Sequence, residues 1–415
     1  MHLRYHDALL SDEERLFKSS VREFAERHIA PIWEKIDEAG SIPVDLIKRM
    51  GSQGLFAIPV EEEKGGVGGT VTMAAIAVEE VAYADPSVAV AVYTLLNNGW
   101  PLLLSLYGGR GGFEWLVDEI ARGDSFLGIA STESHGGSDV AAVRTVAEER
   151  DGMWDINGEK TYISGVIEVM EHLPKGGGWL LVARKGARNS SPSPRDLVLI
   201  LTIGRHGRER APGIEYSRLE TIGRHGISTG ILRFNNHREP VEHTLGGENS
   251  FKILLQGFNI ARILVAAANI GSARWALDQA LEWIKERTVF GRPLASRQSV
   301  AYTYAELLAE LESSRLLVLQ AARLADKIYV EKDPLFKPKD LNIPSAMAKL
   351  KAPRTALKVY EEVMKWHGAL SYMKESKLHR GWLGVMSYNV GAEGAENIMR
   401  YIVARDTIGK EHIRP

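Results

Sequence analysis

The sequence predicts an α+β protein in three parts: an all-helical segment over 1–125, a small β domain over 126–240 and a C-terminal four-helix-like bundle over 241–415. Three observations predict it. The chain has 415 residues, more than one hydrophobic core usually serves, so two or three packed units are expected. Apolar residues recur at helical spacing on both flanks of the chain. Between them, from about Ser125, short β-rich runs alternate with clusters of glycine, proline and serine.

The first part opens on Ser11-Asp12-Glu13-Glu14, which fits a capping box with Ser11 as N-cap and Glu14 three residues on; Phe17, Val21 and Phe24 then follow at helical spacing. Pro31 ends or kinks that helix. A short helix is expected over 43–50, another over 72–83, and a strongly apolar one over 88–105, broken at Pro101. Gly65-Gly66-Val67-Gly68-Gly69 reads as a flexible connector, since it lacks the flanking strand and the G-x-x-x-x-G-K pattern of a phosphate cradle. In the middle part, 145–149 and 153–156 flank Asp151-Gly152, a two-residue hairpin signal, and Asn157-Gly158 supplies another turn. Further β-rich runs cover 179–184, 197–203 and 231–234. The stretch 185–195, rich in serine and proline, reads as a mobile loop, and Arg205, Arg208 and Arg210 as a solvated basic turn. After Gly246 the helical pattern resumes. One or two helices are expected over 251–286, and Tyr304, Leu307, Leu308, Leu311, Val318 and Ala322 form an apolar stripe along the next; 346–366 and 396–406 complete the set. There is no short-period repeat and no low-complexity tract.

Composition narrows the function classes. Hydrophobic residues at 45% and charged residues at 25% describe a soluble globular chain. A net charge of -2 and a pI near 6.7 give no pull toward nucleic acid or an anionic membrane, so neither is expected as a partner. The absence of cysteine excludes a disulfide framework, a thiolate metal site and a cysteine nucleophile. Asp7, Asp12 and Glu13 do not fit the basic-then-apolar order of a signal peptide, and no window approaches ~18 uninterrupted apolar residues, so no membrane span is expected. The expectation is a cytoplasmic, enzyme-sized protein.

Candidate chemistry begins where the apolar run Phe126-Leu127-Gly128-Ile129-Ala130 enters a loop of small and hydrogen-bonding residues. Gly136 and Gly137 allow backbone N–H groups close to a ligand, and Ser131, Thr132, Ser134 and Ser138 add hydroxyls. By turn chemistry alone this is equally a plain surface loop. Two ordered patterns add weight. Thr132-Glu133-Ser134-His135-Gly136-Gly137-Ser138-Asp139-Val140 resembles the T-E-P-x-x-G-S-D-V signature of the acyl-CoA dehydrogenase family, with Ser134 at the usual proline. Ile156-Asn157-Gly158-Glu159-Lys160-Thr161-Tyr162-Ile163-Ser164-Gly165 resembles its L-N-G-x-K-x-W-I-T-N strand, with Tyr162 at Trp and Ser164 at Thr.

The resemblance covers nearly the whole chain, and the family's helix, β, helix-bundle order agrees with the three parts above. It implies FAD as cofactor, with Ile129, Ser131, Thr132 and Ser138 on the flavin loop, Tyr162 against the ring and Ser164 near flavin N5. Arg287-Thr288-Val289-Phe290-Gly291-Arg292-Pro293-Leu294, with Gln298 beyond it, resembles R-x-x-F-G-x-P-L-x-x-x-Q, whose Arg, Phe and Gln positions meet the FAD of a neighbouring subunit; a guanidinium suits a pyrophosphate. Lys365, His367, Gly368 and Ala369 fall on the family's Q-x-H-G-G turn, with Lys365 at the glutamine and Ala369 at the second glycine. Without the pattern His367 is a structural helix-end residue. A shared FAD site implies a homotetramer.

Glu393-Gly394-Ala395-Glu396-Asn397-Ile398-Met399-Arg400 resembles E-G-T-x-Q-I-x-R, which makes Glu393 the catalytic base and puts Ala395 and Asn397 beside the flavin. Removing a proton next to a thioester carbonyl needs a carboxylate in a dry pocket, where burial raises its pKa. The bland alternative is a helix N-terminal carboxylate favoured by the macrodipole. The segment departs from the family in three ways: one extra residue separates it from Arg380, Leu383-Gly384 replaces Arg-Asp, and Ala395 and Asn397 replace Thr and Gln or Glu. Some relatives carry the base just before the arginine of D-x-E-R. Here Asn259-Ile260-Ala261-Arg262 occupies that place and Ala261 cannot serve.

The activity that the resemblance implies is α,β-dehydrogenation of an acyl-CoA to a trans-2-enoyl-CoA, with electrons passed to an electron-transfer flavoprotein. Ser138, Asn259, Arg262 and Gly394 would lie near the substrate. Gly391 and Ala392, small where a bulky pair is usual, imply space for a branched acyl group. Three other readings stay open: an acyl-CoA oxidase using oxygen, a flavin-bearing DNA-binding relative of the alkylation-response type, and a relative that has lost dehydrogenation. No metal is implied.

Overall fold

Ser11 starts the first helix, α1 (Asp12–His28), in the expected way: its hydroxyl accepts the Glu14 N–H at 3.2 Å while Glu14 Oε2 accepts the Ser11 N–H at 2.8 Å. The computed structural model describes residues 4–109, 112–186 and 193–413. Five more helices follow: α2 (Trp33–Ala39), α3 (Val44–Ser52), α4 (Val71–Ala84), α5 (Ala89–Tyr107) and α6 (Glu114–Ala121). Two expectations for this part are overturned. The glycine stretch before α4 is knitted to its neighbours, with Gly68 N–H on the Val60 carbonyl and Gly69 N–H on that of Ile58, both at 2.7 Å. A Cβ on Gly66 would come within 2.4 Å of the Val60 side chain, so close backbone approach explains that glycine better than flexibility does. Helix α5 also runs unbroken through Pro101. Proline cannot donate to the carbonyl four residues back, that of Asn97, and this carbonyl instead accepts the Ala57 N–H at 2.8 Å.

Eight strands then form one sheet: β1 (Ser125–Ala130), β2 (Val146–Arg150), β3 (Met153–Ser164), β4 (Gly176–Lys185), β5 (Leu197–His206), β6 (Glu209–Arg210), β7 (Ile214–Leu219) and β8 (Thr229–Pro240). Their order is β6-β5-β4-β2-β3-β8-β7, with β1 also paired to β4. Both β1 and β2 run parallel to β4, β1 along Gly176 to Leu181 and β2 at Arg184 and Lys185. The chain between them, 131–145, must therefore leave the sheet. Asp151 and Gly152, both at positive φ, make the β2–β3 hairpin. Asn157-Gly158 is no turn: β3 continues through it with a shift of register, and Gly158 sits so close to Thr145 that a Cβ would lie 2.5 Å from its hydroxyl. Arg205 is not solvated. Its side chain is buried and donates to the carbonyls of Val169, Leu173 and Gly207. Residues 187–192 of the expected mobile loop lie outside the described residues.

The C-terminal part is led by one helix, α7 (Ser250–Glu286), followed by a small hairpin, β9 (Thr288–Val289) and β10 (Arg292–Pro293), then α8 (Gln298–Ala325), α9 (Asn342–His367), α10 (Leu378–Val390) and α11 (Glu396–Ile408). Helix α10 is not legible in the sequence pattern. Its glycines mark contacts: a Cβ on Gly381 would strike the Tyr360 hydroxyl, and one on Gly384 the Ser87 carbonyl. By length and composition α5 and the span Gly247–Glu286 could each cross a membrane, but 89% of each apolar window is buried inside the protein. Such helices are apolar all round because neighbours cover every face. The main core is continuous through all three parts. Buried ion pairs reinforce it, Arg274 of α7 donating to Glu79 and Glu80 of α4 at 2.7 Å each.

Candidate active site

The loop leaving β1 is built around a buried carboxylate. Glu133 accepts the N–H groups of Arg144 at 2.7 Å and Thr145 at 2.9 Å and the Lys160 ammonium at 2.7 Å. Lys160, fully buried on β3, also donates to the Ser131 carbonyl at 3.2 Å, and the Thr161 N–H donates to that of Thr132 at 2.9 Å. Burial works against the charge on Glu133, but Lys160 and the N–H donors outweigh it and hold the carboxyl below its usual range; burial brings Lys160 down to about 8. With the polar backbone drawn inward, the hydroxyls of Ser131, Thr132, Ser134, Ser138 and Ser164 make no hydrogen bond among the described residues. Ile129 is half-buried in β1. Tyr162 sits at the second register shift of β3 with φ 60° and is 67% exposed, an unusual backbone for an aromatic residue that turns its side chain out of the ladder. These groups suit the polar edge and flat face of a flavin. Glu133 stands in the first sequence motif and Lys160 in the second, yet only their burial reveals what they do.

Glu393 lies between α10 and α11 on a bent turn. Ala392 has φ 48° and Glu393 φ 52°, two consecutive non-glycine residues in the left-handed region, at a cost of about 1–3 kcal/mol each. Gly394 follows at φ 106°, where a Cβ would come within 2.6 Å of Met399. The Glu393 residue is half-buried as a whole, but its Oε2 is buried and accepts no hydrogen bond, and its N–H donates none among the described residues. Burial pushes its carboxyl up to about 7 against the pull of Arg262 and Lys349. Arg262 donates through Nε to the Glu393 carbonyl at 2.9 Å and through Nη1 to Asn259 Oδ1 at 2.8 Å. Asn259 and Arg262 thus lie at the base. Lys349, which the sequence did not single out, donates to the carbonyls of Tyr388, Gly391 and Gly394.

This turn reaches the sheet through the chain between β7 and β8. Arg224, at φ 50°, donates to Thr229 Oγ1 at 3.4 Å, and Thr229 is the register partner of Ser164. The buried Tyr388 hydroxyl stands between: burial raises its pKa, the Arg224 charge opposes the rise and the Glu393 charge adds to it. Ser138 is exposed on the loop and has no hydrogen bond to Asn259 or Arg262. Ala395 caps α11 without a side-chain bond, and Asn397 accepts from Arg400 at 2.9 Å.

A second group forms around Trp283. Its ring stacks on His367 at 4.8 Å, its Nε1 donates to the Trp366 carbonyl at 2.9 Å, and the Arg287 guanidinium lies 6.0 Å over it. Burial lowers the His367 pKa, and the contact of its Nδ1 with the Val363 carbonyl at 2.8 Å opposes that shift. Phe290, at φ 50° on the hairpin tip, is 92% exposed, and Gln298 opens α8 on the surface. Lys365 pairs with Glu362 on its own helix at 2.7 Å; Gly368 and Ala369 are exposed. No hydrogen bond, ion pair or ring contact joins this group to the loop after β1 or to Glu393 among the described residues. One chain therefore does not bring the two groups together.

Three family models match the chain: acyl-CoA dehydrogenase, N-terminal domain, over residues 11–109; middle domain, over 128–237; and C-terminal domain, over 250–408. An acyl-CoA dehydrogenase of Bacillus subtilis (strain 168) is 29% identical over 414 residues, spanning 96% of this chain and 99% of that relative. The mitochondrial short-chain specific acyl-CoA dehydrogenase of Mus musculus is 29% identical over 408 residues, spanning 97% of this chain and 92% of its own. The solved structure of butyryl-CoA dehydrogenase from Megasphaera elsdenii superposes with a TM-score of 0.85 at 25% identity, spanning 96% of this chain and 99% of that one.

Proposed function

The chain belongs to the acyl-CoA dehydrogenase family of oxidoreductases, and from that premise we propose that it oxidises an acyl-CoA thioester to the trans-2-enoyl-CoA with Glu393 as the base. The observation that carries this reading is the Glu393 Oε2 atom, a buried acceptor with nothing to accept, on a turn held in costly backbone. The family is FAD-dependent, and bound FAD supplies an acceptor for the hydride leaving Cβ. Ser131, Thr132, Ser138, Tyr162 and Ser164 would hold it from one chain. Arg287, Phe290, Gln298 and the 365–369 turn would hold it from a neighbouring one, which makes a homotetramer the expected assembly.

The chain's own part in the reaction is positional and acid–base. The free N–H of Glu393 is the donor available to polarise the thioester oxygen, which acidifies the Cα–H. The Glu393 carboxylate then takes the Cα proton as the Cβ–H pair departs, and the Cα–Cβ double bond forms. A carboxyl near 7 is half ionised at neutral pH and matched to this task. Two relatives are named for short-chain and butyryl thioesters, so short acyl chains are the substrates to try first. Around Gly391 an added methyl would meet only the Ser387 carbonyl, at 3.7 Å, which supports room for a branched acyl group. An electron-transfer flavoprotein is the expected acceptor.

The test is anaerobic bleaching of the purified flavoprotein by straight and 2-methyl-branched short-chain acyl-CoAs. Bleaching by at least one, and its slowing by about 10³-fold in Glu393→Gln, is expected. Bleaching by none, or at the parent rate in the variant, would sink the reading. Reoxidation faster with oxygen than with an electron-transfer flavoprotein would reassign the acceptor.

A further inference from the structure

We propose that Lys349 is the positioning residue that sets where the Glu393 carboxylate points, an inference that rests on Glu393 being the base. Lys349 lies within α9, 2% exposed, and forms no ion pair among the described residues. An ammonium has three donors, and here all three meet backbone carbonyls: Tyr388 at 2.8 Å, Gly391 at 3.2 Å and Gly394 at 2.5 Å. The first belongs to the last turn of α10, where carbonyls lack a helical partner. The other two bracket Ala392 and Glu393, the left-handed pair. Lys349 therefore grips the bend from both ends, while Arg262 grips the Glu393 carbonyl from α7. With the carbonyls of Gly391, Glu393 and Gly394 all held, the bend that carries the Glu393 side chain is fixed. Remove the ammonium and Arg262 alone holds the turn; the two residues can then return to ordinary backbone and swing the carboxylate away.

The same cation also opposes the rise that burial imposes on the Glu393 carboxyl. The charged and titratable groups facing Glu393 are Arg262 on α7, Lys349 on α9 and Tyr388 on α10. Behind them Arg405 and Glu396 of α11 act on Arg262 and Lys349, and Arg224 acts on Tyr388.

Lys349→Met keeps the stem and removes the charge. In the FAD-loaded holoenzyme its kcat on butyryl-CoA is expected to fall about 10- to 100-fold with KM changed less than about 3-fold. The pH at which kcat is half-maximal should move up by about one unit, and Lys349→Arg should bring it back. A second readout needs no turnover: infrared difference spectra against Glu393→Gln follow the carboxyl's own titration, which should move up by the same amount. A side chain that only fills the core would lower the melting temperature and leave both titrations in place, and that result overturns the proposal. If Lys349→Met does not fold, Lys349→Gln is read in the same way; failure of both to fold also overturns it. A parent that bleaches with no acyl-CoA, while the infrared titration still follows residue 349, refutes the proposed reaction and leaves the positioning role standing.

Discussion

Glu393 gains its pKa near 7 from burial, and the same burial makes its charge a liability for folding. Its folded pKa is raised above the ordinary value of 4.5, so this residue's contribution to stability is fully present below about pH 4.5 and is lost as pH rises through 7. Proton abstraction needs the ionised form, so activity should rise over the window in which stability falls. Glu393→Gln, uncharged at every pH, is expected to unfold at higher urea than the parent at pH 8, by about 1–3 kcal/mol, and at similar urea at pH 4. An equal difference at both pH values would show that the carboxyl is not desolvated. Residue 393 was legible from the sequence because its neighbours follow a family pattern. Lys349 was not, because what it binds are carbonyls on two other segments, which carry no side-chain signature.

Helix α4 shows how elements are tied together from afar. Thr70 caps its N-terminus locally, but the N–H groups of Val71 and Thr72 and the Thr72 hydroxyl all donate to Asp326, which follows α8. The helix thus fixed presents Glu79 and Glu80 to Arg274 of α7. Asp326→Ala is expected to cost about 1–2 kcal/mol, seen as a lower melting temperature in calorimetry. An unchanged melt would show that water satisfies those donors equally well. The helices over 72–83 and 251–286 could be read from periodicity, since an apolar stripe needs only the chain's own spacing. The continuity of α5 could not. It depends on Ala57 taking the carbonyl that Pro101 leaves free, a partner 40 residues away in sequence.

For the whole molecule, the decisive feature is the group around Trp283 and the hairpin tip, which stays apart from the loop and from Glu393 within one chain. The Phe290 ring is 92% exposed, and the proposed shared site would cover it with another copy. Phe290→Asp is therefore expected to sediment as a smaller species and to retain less flavin by absorbance. An unchanged sedimentation coefficient and full flavin content would remove the case for a shared site.

By itself the sequence determined the three-part α+β order, because hydrophobic spacing reports which face each element must bury. It also determined the chemical types on offer: hydroxyls after β1, one carboxylate before α11, an arginine and a phenylalanine on a hairpin. Tertiary structure decided which of these meet. The burial of Glu133 with Lys160, the grip of Lys349 and Arg262 on the Glu393 turn, and the separation of the hairpin group all depend on partners far apart in the chain. The physical reason is that desolvation and hydrogen bonding belong to pairs of groups brought together by folding, and one residue's place in a sequence does not specify its partner.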